Sequence, residues 1–396
     1  MAVQTRDTSA AERSDRVGCS SAPDSAQAGR EALLAAANGR TPAAGDLFLL
    51  FASADYDIDR LYNAAVDAAG PATVTGCTSQ GSFTHAENPT SGCVAAYVAG
   101  DATSAGVCHI SRDSDDIAGS ARRAAQAARE RAGERREHEA LVLLSDGLTP
   151  DQREVARGTY AVTGAKIPFV GGSAADTLQW KRTQTFGDGH VRSDGILAVW
   201  LTSDHPLAVS VGHGWRPRGR PMLVTRTEGT IVWELDGRPA LEAYLAELPY
   251  PIESKDPRFF LDVLSHPVGV PNGRGRYDVR QLHAYLPEGG GLNFNTGISE
   301  NSIIQVMRGE VDSLLEGATE AAAAAGSQLE GDPQLALVFS CGSRVPLLGE
   351  RIAEEARAIS QRLAGAPVCG FFTYGEFARV DGSSGVHNAS VAVLAL

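Results

Sequence analysis

A chain of 396 residues, 43% hydrophobic and 21% charged with a net charge of -13, is long enough for two or three domains with substantial cores. Its acidic balance argues against nucleic acid or an anionic membrane as the main partner, since both reward a basic face. The six cysteines form no CxxC pair, which removes a zinc ribbon or dithiol redox motif and fits reduced thiols in a cytoplasmic protein.

Residues 1–28 read as a disordered N-terminal arm, because Met1 to Ser21 is polar, mixed in charge and lacks the apolar core of a secretory signal. A short Ala/Leu-rich helix at Gly29 to Asn38 then feeds a strand at Leu47 to Phe51. Next comes a helix whose Ile58, Leu61, Tyr62, Ala65 and Val66 make one apolar stripe. From here a pattern recurs three times: apolar strand, amphipathic helix, short strand running into a glycine, polar loop, apolar strand. Its copies are DLFLLFAS to ATVTGCTSQGSF to GCVAAYV, ALVLLSDG to IPFVGGSAAD to GILAVWL, and LALVFSCGS to APVCGFFTYGEF to ASVAVLAL.

A strand–helix–strand unit makes a right-handed crossover between parallel strands. In the second copy Thr149 is placed to cap a helix with Pro150 at its first position. A strand at Ala105 to Ile110 and a polar helix at Ser120 to Glu139 join copies one and two, and the arginines of that helix read as a solvated face.

Between copies two and three, Leu207 to Val211, Met222 to Thr227 and Ile231 to Leu235 predict strands. An Asp236-Gly237 turn and a helix at Ala240 to Leu248 follow. Short strands near Phe259 to Leu264, Gln281 to Ala284 and Gly291 to Asn295 precede a helix at Glu310 to Ala325. The fold class is therefore α/β, two domains with mixed sheets flanked by helices and built on the repeated unit. The boundaries fall at 29–215 for the N-terminal domain and 216–396 for the C-terminal one.

In such sheets ligands sit beyond the carboxyl ends of the strands, so the three glycine loops are the candidate sites. Gly76, Cys77, Thr78 and Ser79 offer backbone N–H groups and hydroxyls to a small polar ligand; a turn with a buried thiol is the equal alternative. Cys77 is a nucleophile only with a base beside it, and no motif supplies one. Gly171, Gly172, Ser173 and Asp176 put a carboxylate where a ligand ammonium could bind, or where it caps a turn. Ser173 lacks the GxSxG context of a hydrolase.

Arg344 can grip a ligand carboxylate, or pair with Glu376 and tie two loops together. Gly370, Thr373, Tyr374 and Glu376 combine aromatic walls with a hydroxyl and an acid, as a mostly apolar pocket requires. His387 and Asn388 add a titratable ring and an amide. Arg216, Arg218 and Arg220 around Trp215 form the most basic loop, an exposed hairpin or an anion-docking point.

The runs GCTSQGSF, PFVGGSAADTLQWKRTQTFGDGHVRSDGILAVWL, ELDGRPALEAY, CGSRVPLLGE, GFFTYGEFARV and VHNAS, in this order from about residue 30 to the end, resemble the FIST family with its paired FIST N and FIST C domains. The resemblance implies a small-ligand sensory module of bacterial signal transduction. With no kinase, cyclase or DNA-binding segment in the sequence, it implies a stand-alone sensor acting through a signalling partner such as a kinase. An amino acid or related metabolite is the ligand these loops suggest. A haem-based nitric oxide sensor is the alternative the family brings, although no CxxCH is present. An enzyme using Cys77 or Cys341 ranks last.

Overall fold

The computed structural model describes residues 16–87, 91–133, 135–249, 263–272, 275–286, 288–380 and 385–396. The chain opens with β1 (Val17–Ser20), α1 (Ser25–Ala37), β2 (Leu47–Ser53), α2 (Ile58–Ala69), β3 (Thr73–Ser79), β4 (Ser82–Thr84), β5 (Cys93–Val98) and β6 (Thr103–Ser111). It continues through α3 (Ile117–Arg131), β7 (His138–Ser145), α4 (Gln152–Thr163), β8 (Phe169–Ser173), β9 (Thr185–Gly187), β10 (His190–Arg192), β11 (Gly195–Ser203) and β12 (Ala208–Gly212).

A second stretch carries β13 (Arg216–Pro217), β14 (Met222–Glu228), β15 (Ile231–Leu235), β16 (Arg238–Pro239), α5 (Ala240–Ala246), β17 (Val268–Pro271), β18 (Tyr277–Arg280), β19 (Leu282–Leu286), β20 (Gly291–Phe294) and β21 (Ile303–Arg308). After α6 (Val311–Gly326) come β22 (Ala336–Cys341), α7 (Arg344–Leu348), α8 (Ile352–Arg362), β23 (Val368–Thr373), β24 (Glu376–Arg379), β25 (Gly385–His387) and β26 (Val391–Ala395). The chain is thus α/β with mixed sheets flanked by helices.

Local chemistry explains the helix starts. Asp57 accepts the Arg60 N–H and begins α2, whose Ile58, Leu61, Tyr62 and Ala65 are buried. Asp151, not Thr149, caps α4, accepting from the Arg153 N–H. The cap two residues further on places Pro150 before the helix. At the N-terminus α1 starts at Ser25 on an Asp24 cap, and Val17–Ser20 pairs with β5, so residues 17–28 of the expected disordered arm are ordered. Gly18 makes this fit: a Cβ there would fall 2.3 Å from the Ala32 carbonyl of α1. The strand expected at 259–264 falls largely outside the described residues.

Three sheets share one design. In the orders β1-β5-β2-β3-β9-β10, β25-β24-β8-β7-β11-β6 and β12-β26-β22-β23-β4, each holds one parallel pair: β2 with β3, β7 with β8, β22 with β23. An antiparallel strand flanks each pair: β5, β11 or β26.

The sheets also trade strands in a circle. β4 leaves the first parallel pair to join β23 of the third, β24 leaves the third to join β8 of the second, and β9 leaves the second to join β3 of the first. Their inner faces meet in a single core that includes Leu49, Phe51, Val142, Leu144, Leu337 and Phe371. Phe51 lies at its centre, with ring centroids 4.5 Å from Phe371 and 6.2 Å from Phe339. The outer faces are covered by α1 and α2, by α3 and α4, and by α6 and α8. Strands buried on both faces read as unbroken apolar runs, which is why LFLLFAS and ALVFSC show no alternation.

The fourth sheet, β18-β17-β21-β14-β15-β20-β19 with β13 and β16 beside it, has its own core with α5 on one face. It stands between the second and third pattern copies in sequence.

Because β4 pairs with β23 and one edge of β8 pairs with β24, residues 1–215 expressed alone will leave β4 without its partner and that edge of β8 open. We expect this fragment to show no cooperative urea unfolding until residues 216–396 are added, followed by circular dichroism. A sharp transition for the isolated fragment would contradict the interlocked core.

Candidate functional site

The exchange brings the three glycine loops together. Ala175 N–H donates to the Thr78 carbonyl at 3.0 Å, Ser173 N–H to the Gly375 carbonyl at 2.8 Å, and Gln80 N–H to the Phe372 carbonyl at 3.2 Å. Each loop therefore touches the other two.

The recurring glycines do one structural job. Gly76, Gly171 and Gly370 stand opposite Leu50, Leu143 and Val338 in the three parallel pairs. A Cβ on them would fall 1.8, 1.9 and 2.2 Å from those residues' carbonyl oxygens, so only glycine permits this strand approach. Gly172 is as tightly placed, against the Thr373 side chain.

Their polar neighbours are turned inward too. Cys77 belongs to the central core, where burial pushes its thiol well up from its ordinary value. Thr78 Oγ1 accepts from Gln184 N–H, Ser79 Oγ donates to the Ala52 carbonyl, and Ser173 Oγ donates to the Gly375 carbonyl.

The charged candidates are held in the same way. Burial opposes the charge of Asp176, yet Tyr374 and the backbone N–H groups of Lys181, Arg182 and Trp180 hold its carboxyl below the ordinary value. Tyr374 donates its hydroxyl to Asp176 and stacks on Trp180, ring centroids 3.9 Å apart. This leaves Asp176 with the turn-capping role, and no open face for a ligand ammonium.

Arg344 is fully buried and donates to Glu355, to the His213 carbonyl at 3.0 Å and to the Leu314 carbonyl at 2.9 Å. Its partner is Glu355 on the inner face of α8 rather than Glu376, and a ligand carboxylate cannot reach it. Sequence reasoning passed over Glu355; its one signal is an acid inside the apolar face of Ile352, Ala356 and Ile359.

Glu376, also fully buried, accepts from Thr373 Oγ1 at 2.6 Å and from Ser390 through both N–H (3.1 Å) and Oγ (2.8 Å). Burial still dominates and lifts its carboxyl to about 7. Cys341 next to it is pushed up to about 12 by burial and by the Glu376 charge. Neither Cys77 nor Cys341 is poised as a thiolate.

The open space lies one layer away. A cleft of about 1000 Å³ is bounded by the end of β12, by β13, by one side of α6, by the β17–β18 hairpin and by residues 387–390. This volume is at the top of the range for small-ligand sites. Its wall is backbone-close: a Cβ at Gly214 would fall 1.9 Å from the Ser313 carbonyl of α6. Of the sequence candidates His387 and Asn388 line it, as do Trp215 and Arg216 from the basic loop. His213, Arg276, Asp278, Glu320 and Ser390 also line it and were not singled out, because they come from strands, a helix and loops remote in sequence.

Glu376 and Arg344 sit just behind this wall, one bonded to Ser390 and the other to the His213 carbonyl.

Both imidazoles of the cleft are neutral. Burial lowers His213 to about 4; it accepts the Trp215 N–H at Nδ1 and donates to the Tyr277 backbone. Burial likewise lowers His387, whose Nε2 donates to the Ala378 carbonyl at 2.9 Å. His213 thus has both ring nitrogens engaged, whereas His387 keeps Nδ1 free, and charged side chains line the cleft around them. Among the described residues no group of three or more His, Cys, Asp or Glu side chains is arranged to hold a metal ion.

Comparison with known proteins gives the same family as the motifs. The FIST N domain matches residues 46–238 and the FIST C domain residues 240–379. The chain belongs to the FIST family, whose domains are sensory domains of signal transduction.

An uncharacterized protein of Mycobacterium tuberculosis strain H37Rv is 28% identical over 270 residues, covering 66% of this chain and 68% of its own. An uncharacterized protein of Mycobacterium bovis is 27% identical over 263 residues, covering 64% and 66%. One from the archaeon Methanocaldococcus jannaschii is 31% identical over 164 residues, covering 37% and 30%. The cleft takes Trp215 from the FIST N match, α6 from the FIST C match, and His387 to Ser390 from beyond both.

Two outcomes follow from the buried acids. Glu355→Ala strands the Arg344 charge in the interior and should cost about 3–5 kcal/mol in urea unfolding; a loss under 1 kcal/mol would mean the pair is solvated.

Glu376 keeps its proton in the folded state up to about pH 7, whereas the unfolded chain releases it near the ordinary value of 4.5. Its contribution to stability is therefore largest below pH 4.5 and declines by roughly 3 kcal/mol as pH rises to 7. Unfolding curves at pH 5 and pH 8 should show this decline in the parent and a flatter profile in Glu376→Gln; parallel profiles would assign the carboxyl an ordinary pKa.

Proposed function

We propose that this chain is a cytoplasmic sensory protein that binds an amino acid or a related metabolite in the cleft between the third sheet and the β17–β18 hairpin. The observation that carries this reading is the cleft itself, about 1000 Å³ with polar groups of both signs converging on it. Arg276 and Glu320 offer opposite charges there, and among the described residues neither has an ion-pair partner. They suit the carboxylate and ammonium of a zwitterion.

Because the walls come from three different sheets, a ligand that binds one relative pose more tightly shifts the population toward it and changes the surface shown to a partner, such as a kinase. The cytoplasmic assignment rests on the six cysteines, all of them free thiols. No helix among the described residues is long and apolar enough to cross a membrane.

Isothermal titration against the twenty amino acids tests the reading. At least one should bind, and Arg276→Ala should weaken that ligand by about tenfold or more without altering the thermal midpoint. Binding that is unchanged in Arg276→Ala and in His387→Phe would move the site elsewhere. No binding across the panel would reject the amino-acid assignment.

A further inference from the structure

We infer that the floor of the cleft, formed by His387, Asp278 and Ser390, selects the cationic, donor-rich end of the ligand: an ammonium or guanidinium group on the side chain of a basic amino acid. This rests on the reading of the cleft as the ligand site and adds the ligand's charge and orientation to it.

The three floor groups present hydrogen-bond acceptors and no free donors. His387 is a neutral imidazole whose protonated Nε2 is engaged by the Ala378 carbonyl, so the ring offers the lone pair of Nδ1. Ser390 gives its hydroxyl hydrogen to Glu376 at 2.8 Å and retains only oxygen lone pairs. Asp278 is a carboxylate; it takes one hydrogen bond from Asn272 Nδ2 at 3.1 Å and lies 3.8 Å from Arg280 Nη2, which leaves acceptor positions open.

These groups are neighbours: β18, which carries Asp278, packs against β25, which carries His387, and Ser390 is three residues from His387. Behind the wall, the guanidinium of Arg344 is turned away to Glu355 and two carbonyls, so it supplies no donor to this floor.

A carboxylate or phosphate lowered onto these acceptors would meet only lone pairs, and an apolar side chain would leave Asp278 desolvated without a new partner. An ammonium with three donors, or a guanidinium with five, satisfies them. Arg216 is paired with Glu316 at 2.6 Å, and Arg280 stands beside Asp278 at 3.8 Å, so among the charged side chains of the lining Arg276 and Glu320 are left for the ligand's α-carboxylate and α-ammonium.

Isothermal titration of the full chain at pH 7.5 with arginine, lysine and ornithine, with agmatine and putrescine, and with glutamine, leucine and glutamate as controls tests the inference. The cationic amino acids should bind at least about tenfold tighter than glutamine. Asp278→Asn and His387→Phe should each remove most of that preference while changing glutamine affinity less than about twofold. Thermal midpoints of both variants verify folding.

If glutamine, leucine or glutamate binds as tightly as arginine and lysine, or if Asp278→Asn leaves the preference intact, the floor assignment is wrong and the cleft reading survives. If nothing in the panel binds, both fall. Agmatine or putrescine binding as tightly as arginine would confirm the cationic floor and overturn the amino-acid identity of the ligand.

Discussion

Three parallel strand pairs, each closed by a glycine lying against the opposite strand's carbonyl, are locked into one ring because every pair donates its next strand to a neighbouring sheet. No pair can complete its sheet alone. The hydrophobic surface around Phe51, Phe339 and Phe371 is therefore shared by all three sheets, and so is the free energy of burying it. This shared closure explains why the parts of the chain before and after the fourth sheet behave as one structure, despite the long stretch that separates them in sequence.

Closing the ring carries polar groups inside with it. The loops that join the sheets must satisfy their backbone and side-chain hydrogen-bonding groups out of reach of water, and they do so mainly with each other. Asp176 with Tyr374, Arg344 with Glu355 and Glu376 with Thr373 and Ser390 are the result. Such groups are costly to strip of a partner, so their role is to specify how the sheets join. Glu376 and Arg344 each hold a group of the cleft wall from behind.

The cleft arises where this closed architecture meets the added sheet. There α6 and the end of β12 approach at backbone distance through Gly214 and Gly317, and the β17–β18 hairpin faces them across the opening. Polar side chains here have room and incomplete partners, in contrast to those of the ring. Burial lowers His213 to about 4 and lowers His387 as well, which favours the neutral form of both rings.

Much of the architecture was legible in the sequence. The apolar runs announced strands and the α2 stripe announced its packing, whereas the recurring glycine, read as part of a ligand loop, is a strand residue packed against the opposite carbonyl. The motif order was enough to place the chain in its family. The N-terminal strand was missed because Val17–Ser20 is short and polar-flanked, and only pairing with β5 and contact with α1 order it. The cap of α4 was misplaced because Thr149 and Asp151 are both good caps, and hydrogen bonding chose the latter.

The sequence by itself determined most of the strands and helices, β1 excepted, since periodicity and capping act over a few residues. Only the tertiary structure decided which polar residues are locked inside and which line the cleft. Burial and partnering depend on neighbours supplied from far along the chain: Glu355 claims Arg344, Tyr374 claims Asp176, and β18, α6 and the 387–390 loop together enclose the cleft.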